Sequence, residues 1–312
     1  MTNNTIGVDI SKDHLDAHRM SDGAARRFAN DRHGHQALLT WVGENTGPRI
    51  VYEPTGPYHR AFERKLAKTG CAMVKVNPRQ ARRFAEATGT FAKTDRLDAA
   101  MLARMGALLE LEPRPARSPM LNDLKDLHMA REALVKNRTA ARNRAKNLSL
   151  SILKRHNTEQ LRQIERQMAA IEKEIITLIK ANAGLCERFD ILVSIPGVSA
   201  ITAFALIIDM PELGTLENGQ AASLAGLAPI ARQSGQWTGR AFIRGGRANV
   251  RQALYMPALV AMRFNPDLKA KYEKLVAVGK PPKKAITAIM RKLIVLANAL
   301  IRDSRKWTPR LA

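Results

Sequence analysis

Short apolar runs alternate with helical stripes along the first hundred residues, and the first run, Ile6-Gly7-Val8-Asp9-Ile10-Ser11, carries a carboxylate in its middle. It reads as a buried strand. Asp16 to Met20 and Arg26 to Ala29 read as two more strands around the turn Ser21-Asp22-Gly23. His33 to Glu44 has helical spacing with Leu38, Leu39, Trp41 and Val42 on its apolar face, and Arg49-Ile50-Val51-Tyr52-Glu53 is a further strand ending in a carboxylate before the turn Pro54-Thr55-Gly56. A helix from Tyr58 to Lys68, a strand Cys71 to Val76 closed by Asn77-Pro78, a helix Arg79 to Ala87 and a helix opening at Lys93-Thr94-Asp95 complete the segment.

Three strands in a meander, followed by helix and strand in alternation, is the ribonuclease H-like order: a mixed sheet with helices on its faces. Beyond it, Leu108 to Ser118, with Pro113 and Pro115 and then Pro119, reads as a linker. Two long helices follow, Asn122 to Lys154 and Thr158 to Ala181, with a break near His156-Asn157. Their stripes are Leu124, Leu127, Leu134, Leu148 and Ile152 on one, and Leu161, Ile164, Met168, Ile171, Ile175 and Leu178 at near-heptad spacing on the other. The expected fold class is therefore α/β plus α: a ribonuclease H-like domain over residues 1–117, a helical coiled-coil segment over 118–184, and a mainly helical domain over 185–312. In the last, Ile195-Pro196-Gly197-Val198-Ser199 between two apolar helices resembles a helix-hairpin-helix, whose glycine (Gly197) lets backbone N–H groups approach a phosphate. A Gly- and Arg-rich loop from Arg232 to Arg247 precedes a helix from Ala248 to Phe264, and a last amphipathic helix runs from Ala285 to Asp303.

An ionised Asp among Ile and Val costs several kcal/mol unless paired, hydrogen-bonded or bound to a metal. A strand-end Asp turned to solvent is the bland alternative. It loses ground because Glu53 also ends a strand, while Asp95 and Asp98 share one helix face at i and i+3. These four acids suggest one cation site. Oxygen ligands, with no Cys and no suitable His pair, favour Mg²⁺, with Mn²⁺ as an alternative, over zinc. Asp13 and Asp16 read as surface turn residues, and Cys71 and Cys186 as ordinary buried thiols.

Composition sharpens the picture. The chain has 312 residues, 45% apolar and 5% aromatic, which suits two or three helix-rich domains and excludes general disorder. No apolar run is long enough for a membrane span and no signal peptide is evident, so a cytoplasmic location is expected. Fifty-one Lys and Arg against 28 Asp and Glu give a formal charge of +23, which calls for a polyanion. Residues 1–118 hold 19 basic and 13 acidic side chains, whereas residues 231–312 hold 18 and 3. Between Arg131 and Arg155 stand eight basic residues and one acid, Glu132, so Arg138, Arg142, Arg144 and Lys146 are candidates for nucleic-acid contact, a solvated helix face being the bland reading.

With these residues assembled, the whole chain resembles the DEDD transposases of insertion sequences, the bridge-RNA-guided DNA recombinases. The resemblance rests on Gly7-Val8-Asp9, Glu53-Pro54-Thr55-Gly56 and Lys93-Thr94-Asp95-x-x-Asp98-Ala99 in the first half. In the second it rests on Ile195-Pro196-Gly197-Val198, Gly226-Leu227-Ala228-Pro229, Ser234-Gly235 and Gly245-Gly246-Arg247 followed by Leu254-Tyr255. It implies that residues 1–117 are a RuvC-like domain whose Asp9, Glu53, Asp95 and Asp98 bind Mg²⁺ and that a C-terminal transposase domain supplies a nucleophilic serine. That serine falls on Ser234, with Ser223 and Ser199 as the alternatives. It also implies donor and target DNA chosen by a structured guide RNA, a bacterial cytoplasmic protein associated with the nucleoid on DNA, and assembly of a dimer or tetramer through the helical segment, with acids and serine meeting within a chain or between chains. No His lies near Ser234 in sequence, so metal-assisted deprotonation by the acids is the expected activation, and Arg232, Arg240, Arg244, Arg247 and Arg251 would neutralise phosphates.

Four other readings compete. A RuvC-like structure-selective nuclease would share the acids and use water. A sugar-kinase or actin-like ATPase opens with a similar strand but needs a second glycine-rich phosphate loop, which is missing. A non-catalytic binder has no use for aligned acids. A tyrosine recombinase needs Arg and His partners that Tyr255 and Tyr272 lack.

Overall fold

The computed structural model describes residues 4–43, 48–89, 95–113 and 118–309. The chain forms two compact units, Met1–Arg117 and Ser118–Ala312. Lys93, Thr94, Glu44 and Pro115 of the readings above lie outside the described residues, as does the side chain of Arg96.

In the first unit, β1 (Thr5–Ile10), β2 (His14–Arg19) and β3 (Ala25–Ala29) form an antiparallel meander, while β4 (Arg49–Tyr52) and β5 (Met73–Lys75) run parallel to β1, in the order β3-β2-β1-β4-β5. The mixed sheet is as expected, and the period-2 alternation of strands divides its side chains into two sets. Ile6, Val8 and Ile10 of β1, Leu15 and Ala17 of β2, and Ile50 and Tyr52 of β4 bury one face together with Leu38 of α1 (Arg32–Val42) and Phe62 and Leu66 of α2 (His59–Lys68). Val51 and Val74 bury the other with Ala81 and Ala85 of α3 (Pro78–Ala87) and Met101, Leu102 and Met105 of α4 (Asp95–Leu108). Gly7 and Asp9, of opposite parity to Ile6 and Val8, belong to the α4 face.

Two glycines set how close α4 comes. A Cβ on Gly7 would lie 2.0 Å from the Ala99 carbonyl oxygen and 2.4 Å from the Ala103 amide nitrogen, and one on Gly106 would lie 2.4 Å from a Val51 methyl. At Gly7 helix and strand thus meet backbone to backbone, at Gly106 the helix backbone rests on the Val51 side chain, and the first turn of α4 is brought to the level of Asp9.

The second unit begins with α5 (Pro119–Ala145) and α6 (Ser151–Lys180), an antiparallel hairpin laced by Arg131–Glu172 at 2.7 Å, Arg142–Glu165 at 3.0 Å and Arg144–Gln160 at 3.1 Å. The break expected near His156-Asn157 falls earlier, over residues 146–150; both residues lie inside α6, where Asn157 is buried. No Gly or Pro marks the turn, so pairing between the helices sets it. A helical core follows, of α7 (Ala183–Val193), α8 (Ala200–Asp209) and α9 (Asn218–Leu224), then α10 (Ala248–Ala253), α11 (Tyr255–Phe264), α12 (Pro266–Ala277) and α13 (Pro282–Arg302). The single helix expected from Ala248 to Phe264 is two. Pro257 has no N–H for the Ala253 carbonyl and its ring clashes there, so α10 ends at that residue. The Gly- and Arg-rich loop contains two small antiparallel ribbons, β6 (Pro229–Ile230) with β9 (Phe242–Ile243) and β7 (Gln233–Ser234) with β8 (Trp237–Thr238). Among the described residues no helix is long and apolar enough to cross a membrane, and Cys71 and Cys186 are free and half-buried rather than buried.

Candidate active site

β1 ends beside β4, with Val8 opposite Tyr52, so Glu53 leaves β4 next to Asp9 and, by parity with Val51, on the α4 face. Asp95 and Asp98 open α4 on that same face. Burial pushes the Asp9 carboxyl up from 3.8 to about 6, and the charges of Asp98, Asp95 and Glu53 push in the same direction, in that order. All four predicted acids therefore act on one point. Among the described residues, no three acidic, His or Cys side chains are drawn in tightly enough to enclose an ion as they stand. The donor set, all carboxylate and mutually repelling, is the chemistry that fits a hard divalent cation.

Sequence reasoning missed two members of this face. Asp16 is no surface turn residue: it stands directly opposite Asp9 in the β1–β2 ladder and opposite Arg27 in the β2–β3 ladder. Arg27 binds Asp16 through Nε and Nη2, both at 2.9 Å, and reaches Asp95 at 3.2 Å. The signal was available, because Asp9 and Asp16 lie equally far from the Ser11–His14 turn. Behind Glu53, on the opposite face, Tyr52 shares Glu63 with Lys75 (2.5 Å) and His59 (3.6 Å), an ionic tie between β4, β5 and α2.

Ser234 is exposed at the tip of the β7–β8 ribbon, where it pairs with Trp237 across the two-residue turn Gly235-Gln236. Gly235, at φ +55°, supplies the left-handed conformation that a tight hairpin needs at its first turn position. The other serines have different settings. Ser199 caps α8, its Oγ accepting from the Thr202 amide at 3.4 Å, and Ser223 lies exposed within α9.

The candidate phosphate contacts divide by what holds them. Arg232, Arg240 and Arg244 are exposed on the ribbons, Arg232 with its guanidinium 4.9 Å from the Phe242 ring centre. Arg247 clamps Glu212 with both terminal nitrogens (2.7 and 2.6 Å) and donates to the Asp209 carbonyl at 2.7 Å. Arg251 donates to the Gly245 carbonyl at 2.9 Å. These two arginines fasten the base of the ribbon loop. In the hairpin, Arg142 and Arg144 are exposed and engaged with α6, Lys146 is exposed and Arg138 is half-buried. Gly197 has φ +97°, and a Cβ there would meet the Pro257 carbonyl oxygen at 2.7 Å, so packing against α11 already requires glycine.

Asp209, unnoticed in the sequence, is the most enclosed acid of the second unit. Burial pushes its carboxyl up, but hydrogen bonds from His128 (3.3 Å) and Lys125 outweigh that and hold it below the usual carboxylate range.

The comparisons with known proteins agree from end to end. A family model of IS110-type DEDD transposases, described as a transposase, matches residues 6–156, and one described as the transposase IS116/IS110/IS902 family matches residues 189–273. The pilin gene-inverting proteins of Moraxella bovis and Moraxella lacunata are each 28% identical over 323 residues, covering 100% of this chain and 99% of their own length. The insertion element IS110 uncharacterized 43.6 kDa protein of Streptomyces coelicolor is 28% identical over 150 residues, 47% of this chain and 36% of its own. Two transposase models in succession along the chain, and the two Moraxella relatives aligned over their full length, make the chain a member of the IS110/IS116/IS902 transposase family, with the activity of a DNA transposase or recombinase.

Proposed function

We propose that the chain is an RNA-guided, divalent-metal-dependent recombinase that cuts and rejoins DNA through a covalent phosphoserine at Ser234. The observation that supports the cation site is the gathering of Asp9, Glu53, Asp95 and Asp98 on one face: in a protein of charge +23, burial and the other three charges push the Asp9 carboxyl up, a cost that a bound cation would remove. Asp9, Glu53, Asp95 and Asp98 would hold Mg²⁺, or Mn²⁺ in its place. The ion supplies Lewis-acid stabilisation of charge on phosphate oxygens.

The rest belongs to the chain's own side chains. The Ser234 hydroxyl gives its proton to a carboxylate of the acid set and its oxygen bonds to phosphorus. The P–O bond to one deoxyribose oxygen breaks, and that oxygen leaves carrying a proton. Rejoining reverses these steps on a second strand, conserving the phosphodiester without ATP. Arg232, Arg240 and Arg244, exposed on the ribbons, would offset the phosphate charge. Ser234 and the acids belong to different units, so the reaction requires them to meet, within one chain or between the chains of a dimer or tetramer. In this account residues 1–117 carry the acids, 118–184 the assembly hairpin and 185–312 the serine. Arg138, Arg142, Arg144, Lys146 and Gly197 contact the backbones of donor DNA, target DNA and a structured guide RNA, in the bacterial cytoplasm at the nucleoid, while Arg247 and Arg251, expected from the sequence to neutralise phosphates, hold the loop that carries Arg232, Arg240 and Arg244. Segment inversion, named for the Moraxella relatives, is the same strand exchange on one molecule.

The test is to incubate the protein, its co-purifying RNA and labelled junction DNA with Mg²⁺, denature, and look for labelled protein. An adduct in the unsubstituted protein that is lost in Ser234→Ala supports the reading. Cleavage without adduct, unaffected by that substitution, assigns the chain to hydrolysis with water.

A further inference from the structure

The ribbon that carries Ser234 presents more than a hydroxyl. Directly opposed residues of an antiparallel pair share a face, so Ser234 and Trp237 point to the same side, as do Arg232, two residues before Ser234, and Gly239, two after Trp237. The ribbon is closed there by the Gly239 amide donating to the Arg232 carbonyl at 2.8 Å. A Cβ on Gly239 would fall 2.3 to 2.9 Å from three atoms of the Trp237 six-membered ring, so only glycine lets the indole lie across the backbone at this point. The indole is nonetheless 59% exposed. The other two tryptophans are spoken for: Trp41 packs on Phe28 (5.8 Å) and beneath Arg19 (4.2 Å), and Trp307 lies half-buried against the core of the second unit.

An exposed indole on a protein surface calls for a partner with an aromatic or apolar face. Charge decides which. From Asn218 to Pro266 there is no Asp or Glu and no Lys, but six arginines: Arg232, Arg240, Arg244, Arg247, Arg251 and Arg263. An apolar protein surface gains nothing from that setting, whereas a polynucleotide offers phosphates to the guanidiniums and a π-face to the ring. Within a duplex the base faces are covered by their neighbours, so only an unstacked base can lie on an indole. Opposed Cβ atoms stand about 5 Å apart, the scale of a nucleotide from its phosphate to its base.

We propose that Trp237, laid flat over Gly239, is a stacking platform for one unstacked DNA base beside the phosphate that Ser234 attacks. The ribbon thereby selects single-stranded or unpaired DNA at the cut and sets the phosphate against the hydroxyl. The assignment of the attacked phosphate rests on the serine reading above; the stacking itself does not.

The experiment uses the full chain with Ser234→Ala, which cannot form an adduct, titrated with a single-stranded oligonucleotide and with the duplex of the same sequence while tryptophan emission is followed. The single strand quenches the emission, and the quench disappears in Ser234→Ala/Trp237→Phe, which retains affinity within about twofold. Ser234→Ala/Trp237→Leu loses about tenfold on the single strand and nothing on the duplex. A Trp237→Leu affinity equal to that of the parent, an equal loss on both DNAs, or no quench overturns the platform. Thermal unfolding of each variant verifies that the fold is retained, as an exposed position predicts. A serine reading that fails shows itself separately: protein with both Ser234 and Trp237 intact forms no adduct while the quench persists.

Discussion

Two aspartates withdrawn from water teach opposite lessons. Asp9 sits on β1 among Asp98, Asp95 and Glu53, and its carboxyl is pushed up to about 6. Asp209, at the end of α8, sits against Lys125 and His128 and is held below the ordinary range. Each closes or interrupts an apolar run, Ile6-Gly7-Val8-Asp9 in one case and Phe204-Ala205-Leu206-Ile207-Ile208-Asp209 in the other. What separates them is supplied by distant residues. The compensated acid is a strut: it joins α5 to α8, and Arg247 binds its carbonyl from the foot of the ribbon loop. The uncompensated acid is the one for which we propose a cation brought from outside.

The widest separation of the pair is in activity. Asp9→Asn keeps shape and removes a ligand charge, and recombination in a junction assay should fall by about a thousandfold or more, while the variant remains folded. Asp209→Ala should do the reverse. Leaving Lys125 without its counter-charge and His128 without its hydrogen-bond partner costs about 3 kcal/mol in urea unfolding, and a loss under about 1 kcal/mol would break the contrast. Gly7→Ala tests whether α4 must lie against β1 to deliver Asp98. Its methyl has no room beside Ala99 and Ala103, so about 2 kcal/mol of stability should be lost, with metal-dependent activity falling further than stability alone explains.

A smaller effect is the pH dependence of Asp9 without metal. Its folded pKa is above the unfolded one, so the folded state prefers it protonated: below about pH 4 both states hold the proton and nothing is lost, and the penalty grows as pH rises towards 6. Allowing for its partial exposure, Asp9→Asn should be more stable than the parent by about 1–2 kcal/mol above pH 6 and equal to it below pH 4. A gap that is constant with pH would contradict this. Smallest is Arg27→Gln, whose side chain is 54% exposed: its change in stability in the same measurement should be the least of the series.

Much of the first unit was legible because its signals are local. The alternation in Ile6–Ile10 fixed both the strand and the face of Asp9, and Asn77-Pro78 announced α3, where the Asn77 side chain accepts from the Arg79 amide at 2.9 Å. Asp16 was lost because a hydrophilic strand facing a polar cluster looks like a turn. Its meaning appears only when β1 and β2 are laid in register. The α5–α6 turn carried no breaker residue and was set by helix pairing. Conversely, Pro257 did announce a break that the apolar pattern from Ala248 to Phe264 concealed. Trp237 went unremarked and Arg247 was read as a phosphate contact rather than a clamp on Glu212, because sequence gives both the same arginine- and glycine-rich surroundings.

Thermal unfolding of the full chain with and without Mg²⁺ at neutral pH, in the parent, Asp9→Asn and Asp209→Asn, separates an acid that waits for a cation from one that already has its partners. A cation at about a hundredfold its Kd adds close to 2.7 kcal/mol to a protein that binds it only when folded. An upward shift is expected in the parent and in Asp209→Asn, relative to each one's own baseline, and none in Asp9→Asn. No shift in the parent, or an equal shift in Asp9→Asn, would contradict it.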